Sequence, residues 1–225
     1  MAGTPGGECP HDGRCGRGCH AVEFRETGRG AMAAESGLID RARSCLVVID
    51  VQEFFLGRLA LHEREPLAQR IGWMMRVARA LDIPIVATAE NVARVGPMLP
   101  ELAALMPAGS VIHDKMIYGL ADQADIRQAV GATGKDTFVL VGLETDVCVA
   151  QSAFGLKAAG YNPVVVDDAC GTPAPHHEHG LRRLRDAGIA VQSIKGVFYE
   201  WTRDVETSRR VRAALNAPLP PGLTL

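Results

Sequence analysis

No apolar run in the 225-residue sequence approaches the roughly 18 residues a membrane-spanning helix needs, so no membrane partner is expected. The opening residues lack an apolar stretch of the signal-peptide kind, which makes a cytoplasmic location the default expectation. Charge of one sign is missing too. There are 24 Lys and Arg against 26 Asp and Glu, a formal net charge of -2, so nothing global attracts nucleic acid or an anionic surface. No G-x-G-x-x-G or Walker-type loop appears, which counts against nucleotide binding, and no cofactor is expected. The six cysteines, at 9, 15, 19, 45, 148 and 170, contain no C-x-x-C pair. A domain of this size needs no disulfide staples, so its cysteines read as reduced.

What is present falls into two parts. Residues 1–40 are Gly-rich and have no helix or strand period, the pattern of a mobile tail. Met32 offers a later start just before the patterned region. The stretch C-P-H…C-G-R-G-C-H (9–20) has metal-binding residue types but not the paired spacing of ordinary zinc sites. From 41 to 225, short apolar runs alternate with helical periods. The strands read as CLVVIDV (45–51), IPIVATAE (83–90), SVIHDK (110–115), DTFVLVGLE (136–144), NPVVVDDA (162–169) and AVQSIKGVF (190–198). Helices read as 66–82, 121–134, 146–160, 177–188 and 207–217. Unbroken apolar strands are buried on both faces, and alternation with helices implies an α/β fold of three layers around a six-stranded, mostly parallel sheet. Sequence period does not give the strand order.

Ligands of such sheets bind beyond the carboxyl ends of the strands. Three groups with complementary chemistry fall there: Asp50 at the end of the first strand, Lys115 at the end of the third and Cys148 just beyond the fourth. Thr145 or Asp146 reads as a helix N-cap, which puts Cys148 in the first turn, where the helix end and Lys115 would favour a thiolate. Asp50 would accept the thiol proton and later pass it to a leaving amine, and backbone N–H groups of Glu144 and Cys148 would hold the oxyanion. The plainer reading makes Cys148 a small buried hydrophobe, as it does Cys45 and Cys170. His176, His177 and His179 read as a polar turn at a helix start rather than as metal ligands, since adjacent residues there point in different directions.

VVIDVQEFF, HDKMIYG and VGLETDVCVAQSA together resemble the isochorismatase-like cysteine hydrolases, a group that includes nicotinamidase and N-carbamoylsarcosine amidohydrolase. The likeness spans about 45 to 200. It implies an Asp–Lys–Cys triad at Asp50, Lys115 and Cys148, a non-proline cis peptide at Leu143–Glu144, strand order 3-2-1-4-5-6 and a homo-oligomer. Phe55 matches the family's aromatic after Asp-x-Gln; Gln52, Glu90, Asn91 and Tyr118 lie near strand ends and are candidate substrate contacts. No His occurs between His62 and His113, so the divalent-metal motif of nicotinamidases looks absent and no metal is expected. The expected partner is a small molecule, and the expected activity is hydrolysis of a small amide or ureido carbonyl through a thioester. Vinyl-ether hydrolysis of an isochorismate-like acid and a non-catalytic interaction role are the rivals.

Overall fold

In the computed structural model, residues 37–215 and 217–225 are described. The tail reading over residues 1–36, with Cys9, Cys15, Cys19 and Met32, lies outside them. Ordered packing begins before residue 41. Ile39 is buried, its N–H donates to Glu200 Oε2 at 2.7 Å, and Arg203 donates to its carbonyl at 3.2 Å.

The sheet explains the apolar runs. β1 (Ser44–Ile49) is buried at every position. Alternate side chains enter opposite cores, as strand geometry requires. Leu46 and Val48 join the core on one face, while Cys45, Val47 and Ile49 join that on the other. After β1 come α1 (Glu53–Leu56), α2 (Leu61–Ala80) and β2 (Ile85–Glu90), then α3 (Val92–Val95), α4 (Pro100–Ala103) and β3 (Ile112–Lys115). The second half runs α5 (Ala124–Ala132), β4 (Thr137–Leu143), a π-helical turn (Thr145–Val149), α6 (Ala150–Ala158), β5 (Asn162–Gly171), α7 (His176–Asp186), β6 (Ala190–Gln192), α8 (Ile194–Thr202) and α9 (Val205–Leu215). All six strands pair in parallel in the order β3-β2-β1-β4-β5-β6. α2, α8 and α9 cover one face; α5, α6 and α7 cover the other. The fold is the expected three-layer one.

Three local expectations are corrected. The last strand stops at Gln192, and the rest of 190–198 is helix α8. Ser193 caps it, its Oγ accepting from Gly196 N at 3.1 Å, and Ile194, Val197, Phe198 and Trp201 are buried at helical spacing. Helix α2 starts at Leu61, so Pro66 lies inside it rather than at its start; the Glu63 carboxylate accepts from Ala60 N at 3.1 Å and holds the first turn. The helix read as one unit over 146–160 opens with the π-helical turn before α6 begins.

The chain reverses direction of travel across the sheet between β1 and β4, and the two strands approach closely where Gly142 lies. Its φ is +128°, and a Cβ there would collide with the backbone of Ile49. Only glycine fits, and this contact sets Leu143 and the following turn against the end of β1.

Candidate active site

Four side chains meet at the carboxyl rim around this switch point. Asp50 leaves β1 in the left-handed region, at φ +50°, which an aspartate tolerates better than most residues. Its N–H donates to Thr88 O, tying the turn to β2. The carboxylate is fully buried. Thr88 Oγ1 donates to Oδ1 at 2.8 Å, and Lys115 Nζ lies 2.9 Å from Oδ2. Lys115 is itself completely enclosed, at the end of β3 in register with Glu90. Its ammonium also donates to Ile117 O at 3.2 Å and stands 3.9 Å from Glu90 Oε2. The Cys148 thiol, carried on the π-helical turn, donates to that same Glu90 oxygen at 3.3 Å. Asp50, Lys115 and Cys148, distant in sequence, are therefore brought together, and Glu90 joins them.

The electrostatics differ from the sequence reading in one respect. Burial, then the charge of Asp50, push the Cys148 thiol well above its ordinary value; Lys115 opposes this, and Glu90 adds to it. This direction runs against the thiolate expected from a helix end and a lysine. Desolvation and two carboxylates outweigh one ammonium. Burial likewise raises the Asp50 carboxyl, against the pull of Lys115, Thr88 and the Cys148 thiol. Cys45 and Cys170 are buried core thiols, with Cys45 pushed up to about 12 by desolvation.

The turn bearing Cys148 is braced from two sides. Neither Thr145 nor Asp146 caps it as expected. Glu144 occupies the cap position without a side-chain bond, and the Thr145 hydroxyl instead meets His177 Nδ1 at 2.8 Å. Thr145 N donates to Thr172 Oγ1 at 2.6 Å. The Leu143–Glu144 peptide is cis. The Glu144 carboxylate faces Arg58 at 3.3 Å, and the Arg58 guanidinium lies over the Phe54 ring at 4.4 Å and near Phe55 at 5.4 Å. Phe55 is buried, an apolar support behind this pair.

The remaining candidates separate. Gln52 was read as a substrate contact, but it is fully buried and every part of its amide is used. Its Oε1 accepts from Glu90 N at 2.7 Å, and its Nε2 donates to Glu90 O at 2.8 Å and Gly96 O at 2.5 Å. It is a brace that fixes Glu90. Asn91, left-handed at φ +41°, donates its N–H to Lys115 O and accepts from the first turn of α3 through its carbonyl. Tyr118 is 55% exposed beside Met116 and Ile117, which are also exposed. Thr88, Arg58 and the Thr145–His177 link were not singled out in the sequence. Thr88 had one signal, a polar residue inside the apolar run IVATAE.

Asp50, Glu90 and Cys148 offer ligand atoms within 4.8 Å of one another, a spacing a metal ion could use. The Lys115 ammonium, 2.9 Å from one of these carboxylates, already supplies a positive charge there. The histidine-rich motif of nicotinamidases has no counterpart after β2, and His113 turns to Asp125 at 3.6 Å. A separate cavity of about 570 Å³ opens beside the end of β5, lined by His62, Arg70, Asp168, Thr172 and His177 among others, and none of the four clustered side chains lines it.

The sheet order and this rim define a doubly wound, three-layer α/β protein with a polar cluster at the switch point. The isochorismatase domain model matches residues 44–195, and the chain belongs to that family. The secreted isochorismatase effector Isc1 of Phytophthora sojae is 28% identical over 165 residues, covering 72% of this chain and 78% of the effector. The probable hydrolase YcaC of Escherichia coli is 29% identical over 174 residues, covering 75% and 84%. Its crystal structure, described as an octameric hydrolase of unknown specificity, superposes with a TM-score of 0.73 at 25% identity, covering 80% of this chain and 89% of that one. YcaC from Pseudomonas aeruginosa, solved with hexane-2,5-diol and covalent acrylamide, gives 0.72 at 25% identity, covering 80% and 90%.

Proposed function

We propose that this family member is a cysteine-dependent hydrolase of small amides or ureido compounds. The observation that carries the reading is the buried thiol of Cys148 set against carboxylates and an ammonium. Sulfur attacks the carbonyl carbon and its proton leaves to a neighbouring carboxylate, which on the family pattern is Asp50. The departing nitrogen recovers a proton, and water hydrolyses the thioester. Lys115 offsets the negative charge that accumulates. The N–H groups of Glu144 and Cys148 serve the oxyanion. The covalent acrylamide of P. aeruginosa YcaC supports a nucleophile in this family. Asp50 and Lys115 compensate each other, so Glu90 leaves the rim with excess negative charge, which favours neutral carbonyl substrates over an acidic vinyl ether. A homo-oligomer is part of the proposal, supported by octameric E. coli YcaC and by the exposed Met116, Ile117 and Tyr118.

A panel of small amides, ureas and carbamoyl compounds, read by ammonia release, tests the activity. With a positive substrate, Cys148→Ala is expected to lower turnover by more than about 10³-fold while the melting curve stays cooperative. Full turnover in the variant would return the site to vinyl-ether or non-thiol chemistry.

A further inference from the structure

Of the three histidines at the start of α7, His176 and His179 are exposed, with ring centroids 6.0 Å apart, and only His177 turns inward. Its side-chain hydrogen bond goes to the turn that carries Cys148: Nδ1 lies 2.8 Å from the hydroxyl of the fully buried Thr145. The Thr145 N–H is held from the same β5–α7 connection. It donates to Thr172 Oγ1 at 2.6 Å, and the Thr172 hydroxyl donates to Gly171 O at 2.8 Å. One helical turn beyond His177, on the same face of α7, Gly180 backs onto Asp146. A Cβ there would stand 2.9 Å from Asp146 Cα and 3.0 Å from its N and Cβ. The residues that follow β5 therefore grip both polar groups of Thr145 and press on the backbone of its neighbour. The other side of the His177 ring borders the cavity of about 570 Å³, so the ring is not wedged between core side chains.

We infer that His177 is a positioning residue for the oxyanion site, acting through the Thr145 hydroxyl to fix the turn from which the Glu144 and Cys148 N–H groups project. This rests on the hydrolase reading and adds to it a residue outside the charged cluster. Thr145 stands in the chain between the two donors, so a rotation of its peptide re-aims both. Donors to a developing oxyanion act by being aimed in advance, and their contribution falls steeply when the aim is lost. The bond matters most once charge has reached the carbonyl oxygen. Its loss therefore lowers kcat and leaves KM nearly as it was.

Propanal reads the oxyanion site without a known substrate. The Cys148 sulfur bonds to its carbonyl carbon, the C=O electron pair moves to oxygen, and the thiol proton passes to Asp50 as in the proposed reaction. Isotope labelling of the carbonyl carbon reports the adduct by NMR. Iodoacetamide is the control, because it alkylates the same sulfur at a saturated carbon and builds no oxyanion. In the full chain, His177→Ala is expected to weaken propanal at least about tenfold, less than outright removal of an oxyanion donor costs. Alkylation of the Cys148 peptide, timed by mass spectrometry, should stay within about twofold of wild type. Thr145→Val, which keeps the shape and drops the hydroxyl, should match His177→Ala, and the double variant should be no weaker than either, since both remove one bond. His177→Asn, whose amide offers a donor or an acceptor at the Nδ1 position, should recover most of the affinity. If His177→Ala no longer melts cooperatively, Thr145→Val decides. Equal propanal affinity in wild type and Thr145→Val, alkylation slowed in step with propanal, or an Asn variant no better than Ala would overturn the role of His177. Absence of any Cys148 adduct in the wild type would instead overturn the hydrolase reading, and the inference with it.

Discussion

At the residue scale the site is governed by a buried ion pair whose partners have no access to water. Taking a carboxylate and an ammonium out of water costs several kcal/mol each, and only their contact and extra hydrogen bonds offset it. Asp50 Oδ1 has the Thr88 hydroxyl and Lys115 has Ile117 O, while Asp50 Oδ2 faces the ammonium at 2.9 Å without a hydrogen bond of its own. Removing one member exposes that dependence. Lys115→Met is expected to destabilise the protein by about 3–5 kcal/mol in urea unfolding, and Asp50→Asn in the same chain should recover part of the loss. An unaltered unfolding midpoint in Lys115→Met would mean the pair is not enclosed. Asp50, Lys115 and Cys148 were legible in the sequence because each is a chemically active residue at or just beyond the end of a strand-like segment. Glu90 was legible as a strand-end polar residue, but its contact with sulfur was not, since Gln52 sets it through bonds to backbone atoms in another loop. The raised thiol was illegible for a related reason: desolvation belongs to the packed molecule and to no motif.

At the element scale, the strands show how far local pattern reaches. β1, β2, β4 and β5 are apolar runs with two buried faces, and period alone finds them. β6 and α8 were merged because a helix rich in Ile, Val and Phe has strand-like composition; the Ser193 cap was the signal that separates them. Caps also give the fold a pH dependence. Asp204 accepts from Thr207 N at 2.7 Å and from the Thr207 hydroxyl at 2.8 Å, holding the first turn of α9. Those bonds keep its carboxyl below the ordinary carboxylate range, the Thr207 N–H foremost. A depressed folded value means the stabilisation is present above the unfolded value of about 3.9 and is lost as pH falls through the folded value. Asp204→Ala should therefore lower the urea midpoint at neutral pH, with the difference from wild type closing below about pH 3. An equal difference at both pH values would remove the carboxylate from the explanation.

At the scale of the whole molecule, the order β3-β2-β1-β4-β5-β6 brings the ends of β1, β2, β3 and β4 to one rim and so makes the site possible. Pairing of Ser44 with Thr137 in parallel register joins residues far apart in the chain, and no local period records it; here the family resemblance supplied what the pattern lacked. Gly142 lets β4 approach β1 closely enough for the Cys148 turn to reach Asp50, Lys115 and Glu90. Native mass spectrometry of the full chain should give a multiple of the 24.0 kDa subunit, and a monomer alone would remove the oligomer from the proposal. The same instrument provides the most direct test of the nucleophile. Rapid acid quench during turnover of a positive amide substrate should show the subunit carrying the acyl group, with the adduct on the Cys148 peptide and released by hydroxylamine as a thioester. An unmodified Cys148 at a quench time when product is forming, or an adduct on any other residue, would contradict covalent catalysis by this sulfur.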